Sequence, residues 1–171
     1  IGITDFTSFK QVRAMLKVFK THRRRGSQRQ LHVGVMMSYK TFYGLPTKWK
    51  DVFPPKESIR SIFTLDEVYN CLHYADYDQA SRSDDRHDPE LPRTLSLAIE
   101  YCGYHIDAIQ LDMIWPDPGQ VLDGVDRSRK RLETILQVGR KALEEVQNDP
   151  QLLVEKLGNY EGVIHRVLLD K

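Results

Sequence analysis

Two stretches decide the fold that this sequence predicts: residues 106–114, which read IDAIQLDMI, and residues 163–169, which read VIHRVLL. Both carry apolar side chains at successive positions, and therefore on both faces, which is typical of strands buried in a parallel sheet. Asp112 lies near the end of the first stretch, and Asp170 directly follows the second. A carboxylate in such a position can serve a pocket at the strand end, or it can cap a helix or face solvent.

Outward from these stretches, predicted strands alternate with amphipathic helices. Residues 1–4 and 31–37 are predicted strands. The helix between them is expected to begin after Thr7 or Ser8 and to close at Gly26. Its apolar face repeats at helical spacing and consists of Phe9, Val12, Leu16 and Phe19.

Two segments are consistent with more than one structure. Residues 67–75 are predicted either as a third strand or as a helical turn. The apolar cluster 135–138 is either a fifth strand or part of a continuous helix over residues 126–146, because periodicity alone does not separate the two. Further helices are predicted at residues 56–63, along the face formed by Leu95, Ala98, Ile99 and Cys102, and from Asn148-Asp149-Pro150 onward.

This alternation predicts an α/β fold in which strands recur about every 30 residues. Two architectures fit it: an incomplete (β/α)8 TIM barrel, or an open doubly wound parallel sheet. About six β/α units are predicted here, whereas a complete barrel takes about 250 residues. We therefore expect residues 1–171 to form a single barrel domain that continues beyond Lys171 and is preceded by further residues.

Composition and charge narrow the class of function. Hydrophobic residues make up 40% of the chain and charged residues 29%, which indicates a globular rather than a disordered protein. The net charge of +1 argues against nucleic acid or an anionic membrane as a partner. The basic runs 21–29 and 127–131 are interpreted as solvated helix ends. Because Cys71 and Cys102 form no motif and no apolar run is long enough to cross a membrane, we expect a cytoplasmic protein.

Cofactor and metal signatures do not occur in the sequence. It contains no metal-ligand spacing, no dinucleotide fingerprint and no P-loop, so we expect neither a metal nor a cofactor. His73 and His165 lie on predicted strands among apolar neighbours. We interpret both as hydrogen-bonded structural residues.

Four short motifs resemble the phosphoribosylanthranilate isomerase family, the TIM-barrel enzymes of tryptophan biosynthesis. The opening IGIT, with Gly2, is similar to the family's Cys-Gly-Ile-Thr strand. IDAIQLD is similar to the fourth strand, which usually ends Val-Gln-Leu-His-Gly; Gln110 and Leu111 match, and Asp112 stands where His is usual. VLLDK is similar to the sixth strand, and LHVGVMMSYKTFYG to the second strand and its loop. The four motifs keep the family's order and spacing across the chain.

The resemblance implies an Amadori-type aldose–ketose rearrangement of a phosphorylated sugar derivative by general acid–base catalysis. Asp170 matches the family's general acid. The family's catalytic Cys is replaced by Ile1, which cannot accept a proton, and Asp112 is the natural substitute base. Asp5 is nearer to Ile1 in sequence, but its position favours capping of the first helix.

Substrate contacts are implied at Lys40, Gln110 and Gly2. Lys40, together with Lys48, lies in the loop where the family places a basic residue for the anthranilate carboxylate. Barrels of this kind bind phosphate after strands seven and eight, which we expect to follow Lys171. The expected partner is a small phosphorylated molecule, and a homodimer is left open. A second hypothesis, motivated by the missing Cys, is a non-catalytic or divergent barrel that binds a sugar phosphate or a protein partner.

Overall fold

The computed structural model describes residues 2–46, 51–75 and 90–170, so the predictions made for Ile1 and Lys48 lie outside the described residues. The described strands are β1 (Gly2–Ile3), β2 (His32–Met37), β3 (Tyr69–Ala75), β4 (Ala108–Asp112), β5 (Glu133–Val138) and β6 (Arg166–Leu169). The described helices are α1 (Phe9–His22), α2 (Tyr39–Tyr43), α3 (Lys56–Ile62), α4 (Leu91–Tyr101), α5 (Pro118–Arg127), α6 (Arg140–Glu145) and α7 (Pro150–Gly158).

The strands form one parallel sheet in the order β1-β2-β3-β4-β5-β6. The sheet is curled like half of a barrel, which confirms the predicted α/β class. A doubly wound sheet reverses its strand order at a switch point, and no reversal occurs among the described strands. The predicted doubly wound arrangement is therefore not found, while an incomplete barrel and an open α/β fold are both compatible with the sheet.

Helix α1 begins where the sequence predicts but ends earlier. Ser8 is its N-cap, and its side chain accepts a hydrogen bond from the backbone of Gln11, whose side chain accepts one from the Ser8 backbone at 3.0 Å. This capping box satisfies two amides of the first turn, so Asp5, with φ 68°, does not cap the helix. The helix ends before Arg23, which has an extended conformation, so the predicted closure at Gly26 is wrong.

The structure resolves the two ambiguous segments as strands. Residues Tyr69–Ala75 pair with both β2 and β4, which leaves no room for a helical turn. Helix α5 ends at Arg127, and Arg129 adopts φ 55°, so the continuous helix over 126–146 does not form. Helix α5 begins at Pro118, where the side chain of the N-cap Asp117 accepts a hydrogen bond from the backbone of Gln120 at 2.9 Å.

Alternate residues of each strand face two different environments. Ile109 and Leu111 of β4 belong to the main hydrophobic core, together with residues of α1, α3, α4 and α5. The other face of the sheet carries a small separate cluster made of Cys71, Ala108 and Ile135. The helices therefore cover one face, and the opposite face is free to carry polar groups at the strand ends.

Strand β6, which the sequence predicts as a buried strand, is exposed within the described residues. Val167, Leu168 and Leu169 are 42%, 43% and 62% exposed. Among the described strands β6 pairs only with β5, at one edge of the sheet, so its second side lacks a packing neighbour there. Its apolar sequence reads as a core strand because composition does not show which strands lie at an edge.

We expect Gly124→Ala to destabilise the fold. A Cβ at Gly124 would lie 2.9 Å from Leu95 Cβ and 3.0 Å from the Pro92 carbonyl oxygen, so α4 and α5 would have to move apart. Overpacking of this kind costs about 1–3 kcal/mol, and the alanine gains about 1 kcal/mol in helix propensity, for a net loss of about 1 kcal/mol. Chemical denaturation measures the difference. Gly158→Ala is the matched control, since nothing lies within 4 Å of a Cβ there; equal stability of the two variants would contradict the close approach.

Candidate active site

Two carboxylates line one cleft at the C-terminal edge of the sheet. Asp112 is the last residue of β4, and Asp170 directly follows β6. The cleft has a volume of about 270 Å³. Its remaining walls are formed by Met113, Ile114, Gln137, Gly139, Arg140, Lys141 and Ala142. Parallel strands bring their carboxyl ends to one edge, which is why residues 58 positions apart in sequence (170 − 112) meet at this cleft.

A chain of buried polar side chains runs behind the cleft. Gln137 Nε2 donates a hydrogen bond to Asp170 Oδ2 at 2.8 Å. Gln110 Nε2 donates to Gln137 Oε1 at 2.6 Å and lies 3.2 Å from His73 Nε2. His73, Gln110 and Gln137 are all buried. We call these three residues the relay, because together they link β3, β4 and β5 to Asp170.

The relay also reaches the second carboxylate. His73 Nε2 lies 3.5 Å from Asp112 Oδ2, and the two side chains are only 11% and 8% exposed. Asp170, in contrast, is exposed. The two carboxylates that share the cleft therefore have different environments, and His73 brings the relay to within 3.5 Å of Asp112.

The strand register explains why glutamines form this path. His73 on β3 is paired with Gln110 on β4. Gln137 on β5 is instead paired with Asp112, which lies two residues after Gln110 on the same face of β4. Gln137 is paired with Leu168 on β6, and Asp170 lies two residues after Leu168. The side chains of the relay therefore lie on a diagonal across the sheet that ends at the cleft. Long side chains such as glutamine can connect diagonal neighbours of this kind.

A second polar cluster lies at the opposite end of the same face. The Tyr69 hydroxyl donates to Glu133, and Arg166 donates to Glu133 Oε1 at 2.9 Å. The hydrogen bond from Tyr69, and the charge of Arg166, hold the pKa of Glu133 below its ordinary value. Burial and the same hydrogen bond raise the pKa of Tyr69. This cluster ties β3, β5 and β6 together away from the cleft, so we assign it a structural role.

Neither cysteine is placed to accept a proton at neutral pH. Cys71 lies between the two polar clusters, packed against Ala108 and Ile135. Burial raises the pKa of its thiol to about 12. Cys102 is fully buried in the helical core, and burial raises the pKa of that thiol as well. A thiol with a raised pKa is not a thiolate at neutral pH and cannot accept a proton there.

The other predicted site residues lie away from the cleft. Lys40 is on α2, after β2, with its ammonium 5.8 Å from the Tyr39 ring centre, and it does not line the cleft. Gly2 pairs with His32 at the start of β1. Gln110 belongs to the relay, with its amide already engaged on two sides. The substrate contacts assigned to these residues stay predictions.

Sequence reasoning missed Gln137 and interpreted His73 only as a hydrogen-bonded structural residue, which its contact with Gln110 fits. His73 alternates with apolar neighbours on β3, which reads equally well as a structural histidine. Gln137 lies in the segment whose pattern fitted either a strand or a helix, so the direction of its side chain could not be predicted. His165 does match its structural interpretation, because its Nδ1 accepts from the Thr134 backbone at 3.1 Å.

Comparisons with known proteins add no relative. No protein-family model matches the chain, and neither curated proteins nor solved structures give a match. Within the part of the chain that the structure describes, no group of three or more His, Cys, Asp or Glu could hold a metal ion. No helix among those same residues is both long and apolar enough to cross a membrane.

We expect both thiols to be unreactive in the folded protein. Because burial raises the Cys71 pKa to about 12, the thiolate fraction at pH 8 should be roughly 10³-fold below that of a free cysteine. Reactivity should rise only toward pH 12 or on unfolding. Labelling with a chromogenic disulfide, with and without guanidinium chloride, measures this. Fast labelling of the native protein at pH 8 would contradict the buried placement.

Proposed function

We propose that this chain is an isomerase-like enzyme that resembles phosphoribosylanthranilate isomerase and rearranges a phosphorylated sugar derivative from an aldose to a ketose form. Its place would be in tryptophan biosynthesis. The observation that carries the proposal is the pair Asp112 and Asp170 on one cleft at the carboxyl ends of parallel strands. Catalytic groups of (β/α) barrels lie at that edge.

The reaction needs an acid and a base on two sides of one carbon skeleton. In the proposal, Asp170 protonates the ring oxygen, which opens the sugar to the imine. Asp112 then removes the proton from the neighbouring carbon, and electrons move to give the enol-amine that becomes the ketose product. The exposed position of Asp170 makes it accessible to a leaving oxygen, and the burial of Asp112 shields the developing charge from water.

The cleft also contains positive charge suited to an anionic substrate. Arg140 and Lys141 line it together with the two carboxylates. Arg140 lies 3.6 Å from Glu144 in an exposed ion pair, which is weak enough for a substrate anion to replace. These cations favour a phosphorylated or carboxylated substrate, and they supplement the role predicted for Lys40.

The complete (β/α)8 barrel is the fold that we propose for the whole enzyme. Sequential parallel order and a curled sheet support it, because each β/α unit of a barrel adds beside the previous one. A closed barrel would place two further strands between β6 and β1.

The proposal predicts that Asp170→Asn loses most of its turnover of phosphoribosylanthranilate. General acid catalysis typically contributes on the order of 10²–10⁴-fold, so kcat should fall by that factor while the fold is retained. The loss of substrate fluorescence or absorbance follows the reaction directly. Asp126→Asn is the matched control, because Asp126 is exposed on α5 and lies outside the cleft. Full turnover by Asp170→Asn would remove Asp170 from its role.

A second candidate function is binding without catalysis, favoured by Ile1 at the position of the family's catalytic Cys. A divergent barrel of this kind would bind a sugar phosphate or a protein partner in the cleft. Calorimetry with a non-reactive reduced analogue of the substrate separates the two functions. Binding of the analogue with no turnover by the wild-type chain would favour this second candidate over the enzyme.

A further inference from the structure

We infer that a second cleft, at the opposite end of the sheet from the two carboxylates, binds an organic phosphate, that is, a phosphate group attached to an apolar body. This cleft has a volume of about 750 Å³, which is within the usual range of small-molecule sites. It lies beside the loop that joins α1 to β2, whereas Asp112 and Asp170 lie at the carboxyl ends of their strands. The inference concerns a different site from the proposed active site and does not depend on the proposed function.

Arginine side chains give this second cleft a concentrated positive charge. It is lined by Arg23, Arg24, Arg25 and Arg29, and none of the described residues that line it is acidic. These four guanidinium groups exceed the net charge of +1 of the whole chain, so the rest of the chain is net negative. Each guanidinium presents its donors in a planar fork that matches the oxygens of a phosphate. The charge of the cleft therefore favours an anionic ligand, and its arginine composition favours a phosphate.

The end of helix α1 does not account for these arginines. The last turn of the helix already carries Lys20 and His22, the basic side chains that complement the helix dipole. Arg24, Arg25 and Arg29 come after the C-cap, whereas the dipole acts within the last turn. Among the described residues, no ion pair or side-chain hydrogen bond engages the guanidinium groups of these three. The interpretation as a solvated helix end therefore fits only the first residues of the basic run.

The other basic run, residues 127–131, has a different environment. Arg127 donates to Asp123 at 2.8 and 2.7 Å, and the Lys130 ammonium donates to two backbone carbonyl oxygens at the end of α4. The cleft beside this run also contains three carboxylates, those of Asp107, Asp126 and Glu133. Cations of that run are thus engaged within the protein, and the positive charge of the first run is left for a ligand.

Hydrogen bonds centred on Ser27 order the loop that carries the arginines. The Arg23 guanidinium donates to the Ser27 carbonyl oxygen, and the Ser27 amide donates to the Arg24 carbonyl oxygen at 3.0 Å. The Ser27 hydroxyl accepts from the Arg29 amide at 3.2 Å. Gly26 adopts φ 79°, a conformation that other residues disfavour. Because the backbone is already ordered, less conformational entropy is lost when the arginines gather around one anion.

The floor of this cleft is apolar. It is formed by side chains from β1, α1 and the residue before β2, namely Ile3, Met15, Val18, Phe19 and Leu31. Val18 is 52% exposed, and the Arg23 guanidinium lies 5.9 Å from the centre of the Phe19 ring. A bare phosphate ion would leave this floor in water, whereas a ligand with an apolar body would cover it. Arginines beside an apolar floor therefore favour an organic phosphate over an inorganic one.

Titration of the full chain into 1-naphthyl phosphate tests the inference, because this fluorescent phosphate ester carries an apolar ring system and its anisotropy rises on binding. Inorganic phosphate has the charge without the body, and 1-naphthol has the body without the charge. We expect 1-naphthyl phosphate to bind roughly tenfold more tightly than either compound. Added NaCl should weaken its binding, because the arginines are exposed. Absence of binding, or equal binding of inorganic phosphate, would overturn the inference.

The double variant Arg24→Gln/Arg29→Gln should weaken the binding of 1-naphthyl phosphate by roughly tenfold, since each guanidinium removed is a charged hydrogen-bond donor. Both residues are exposed, so the fold should persist, and circular dichroism checks this. Arg13→Gln/Arg129→Gln is the matched control, because it removes the same charge from exposed positions outside the cleft. An equal loss of affinity in both double variants would reveal only long-range attraction and would contradict a built site.

Arg140→Gln separates this site from the proposed active site, which also contains cations. Loss of probe binding in Arg140→Gln, with none in Arg24→Gln/Arg29→Gln, would place the probe between Asp112 and Asp170 and overturn the inference. Binding that depends on Arg24 and Arg29 supports the second site whether or not the chain turns over phosphoribosylanthranilate. Displacement of the probe by a single-stranded oligonucleotide at far lower concentration than by unlabelled organic phosphate would assign the arginines to nucleic acid and overturn the small-ligand site.

Discussion

Burial of polar side chains is the constraint on which the candidate site depends. His73, Gln110, Gln137 and Asp112 all lie on the face of the sheet that the helices do not cover, and all are buried. A buried amide without a partner costs about 1–3 kcal/mol, and the hydrogen bonds from Gln110 to Gln137 and from Gln137 to Asp170 offset this cost for the two glutamines. The parallel register decides which of them can meet, and it links them into a path from β3 to the end of β6. The arrangement of the cleft is thus a consequence of where the strands pair.

The uncovered face of the sheet has three layers. A polar cluster around Glu133 closes one end, Cys71, Ala108 and Ile135 form a thin apolar layer, and the relay closes the other end. The small apolar layer separates the two polar clusters along the strands. The structural cluster and the candidate active site therefore occupy opposite ends of the same face of the sheet.

The sequence patterns predicted the positions of the strands better than they predicted which strand residues are exposed and which side chains meet. Apolar runs on both faces identified β4, and the convergence of strand ends brought Asp112 and Asp170 to one cleft, because both follow from local pattern and parallel topology. The exposure of β6 could not be predicted, since an edge strand and a central strand have the same composition. The contacts of Gln137 could not be predicted either, because the pattern of residues 135–138 fits a strand and a helix equally well. Arg129, with its positive φ, separates helix α5 from β5. The strand register then places the Gln137 amide between Gln110 and Asp170.

The exposed strand β6 gives the site a built-in dependence on local order. Asp170 is attached to the strand with the least buried side chains, while its hydrogen-bond partner Gln137 belongs to a strand that is buried almost throughout. Edge segments of this kind open at a lower free energy than the core to which they are docked. If β6 separated from β5, Asp170 would move with it, whereas His73, Gln110 and Gln137 would keep their places on β3, β4 and β5. The cleft is therefore assembled by the docking of one strand, and ligands or neighbouring segments that hold β6 against β5 would strengthen the site without touching either carboxylate.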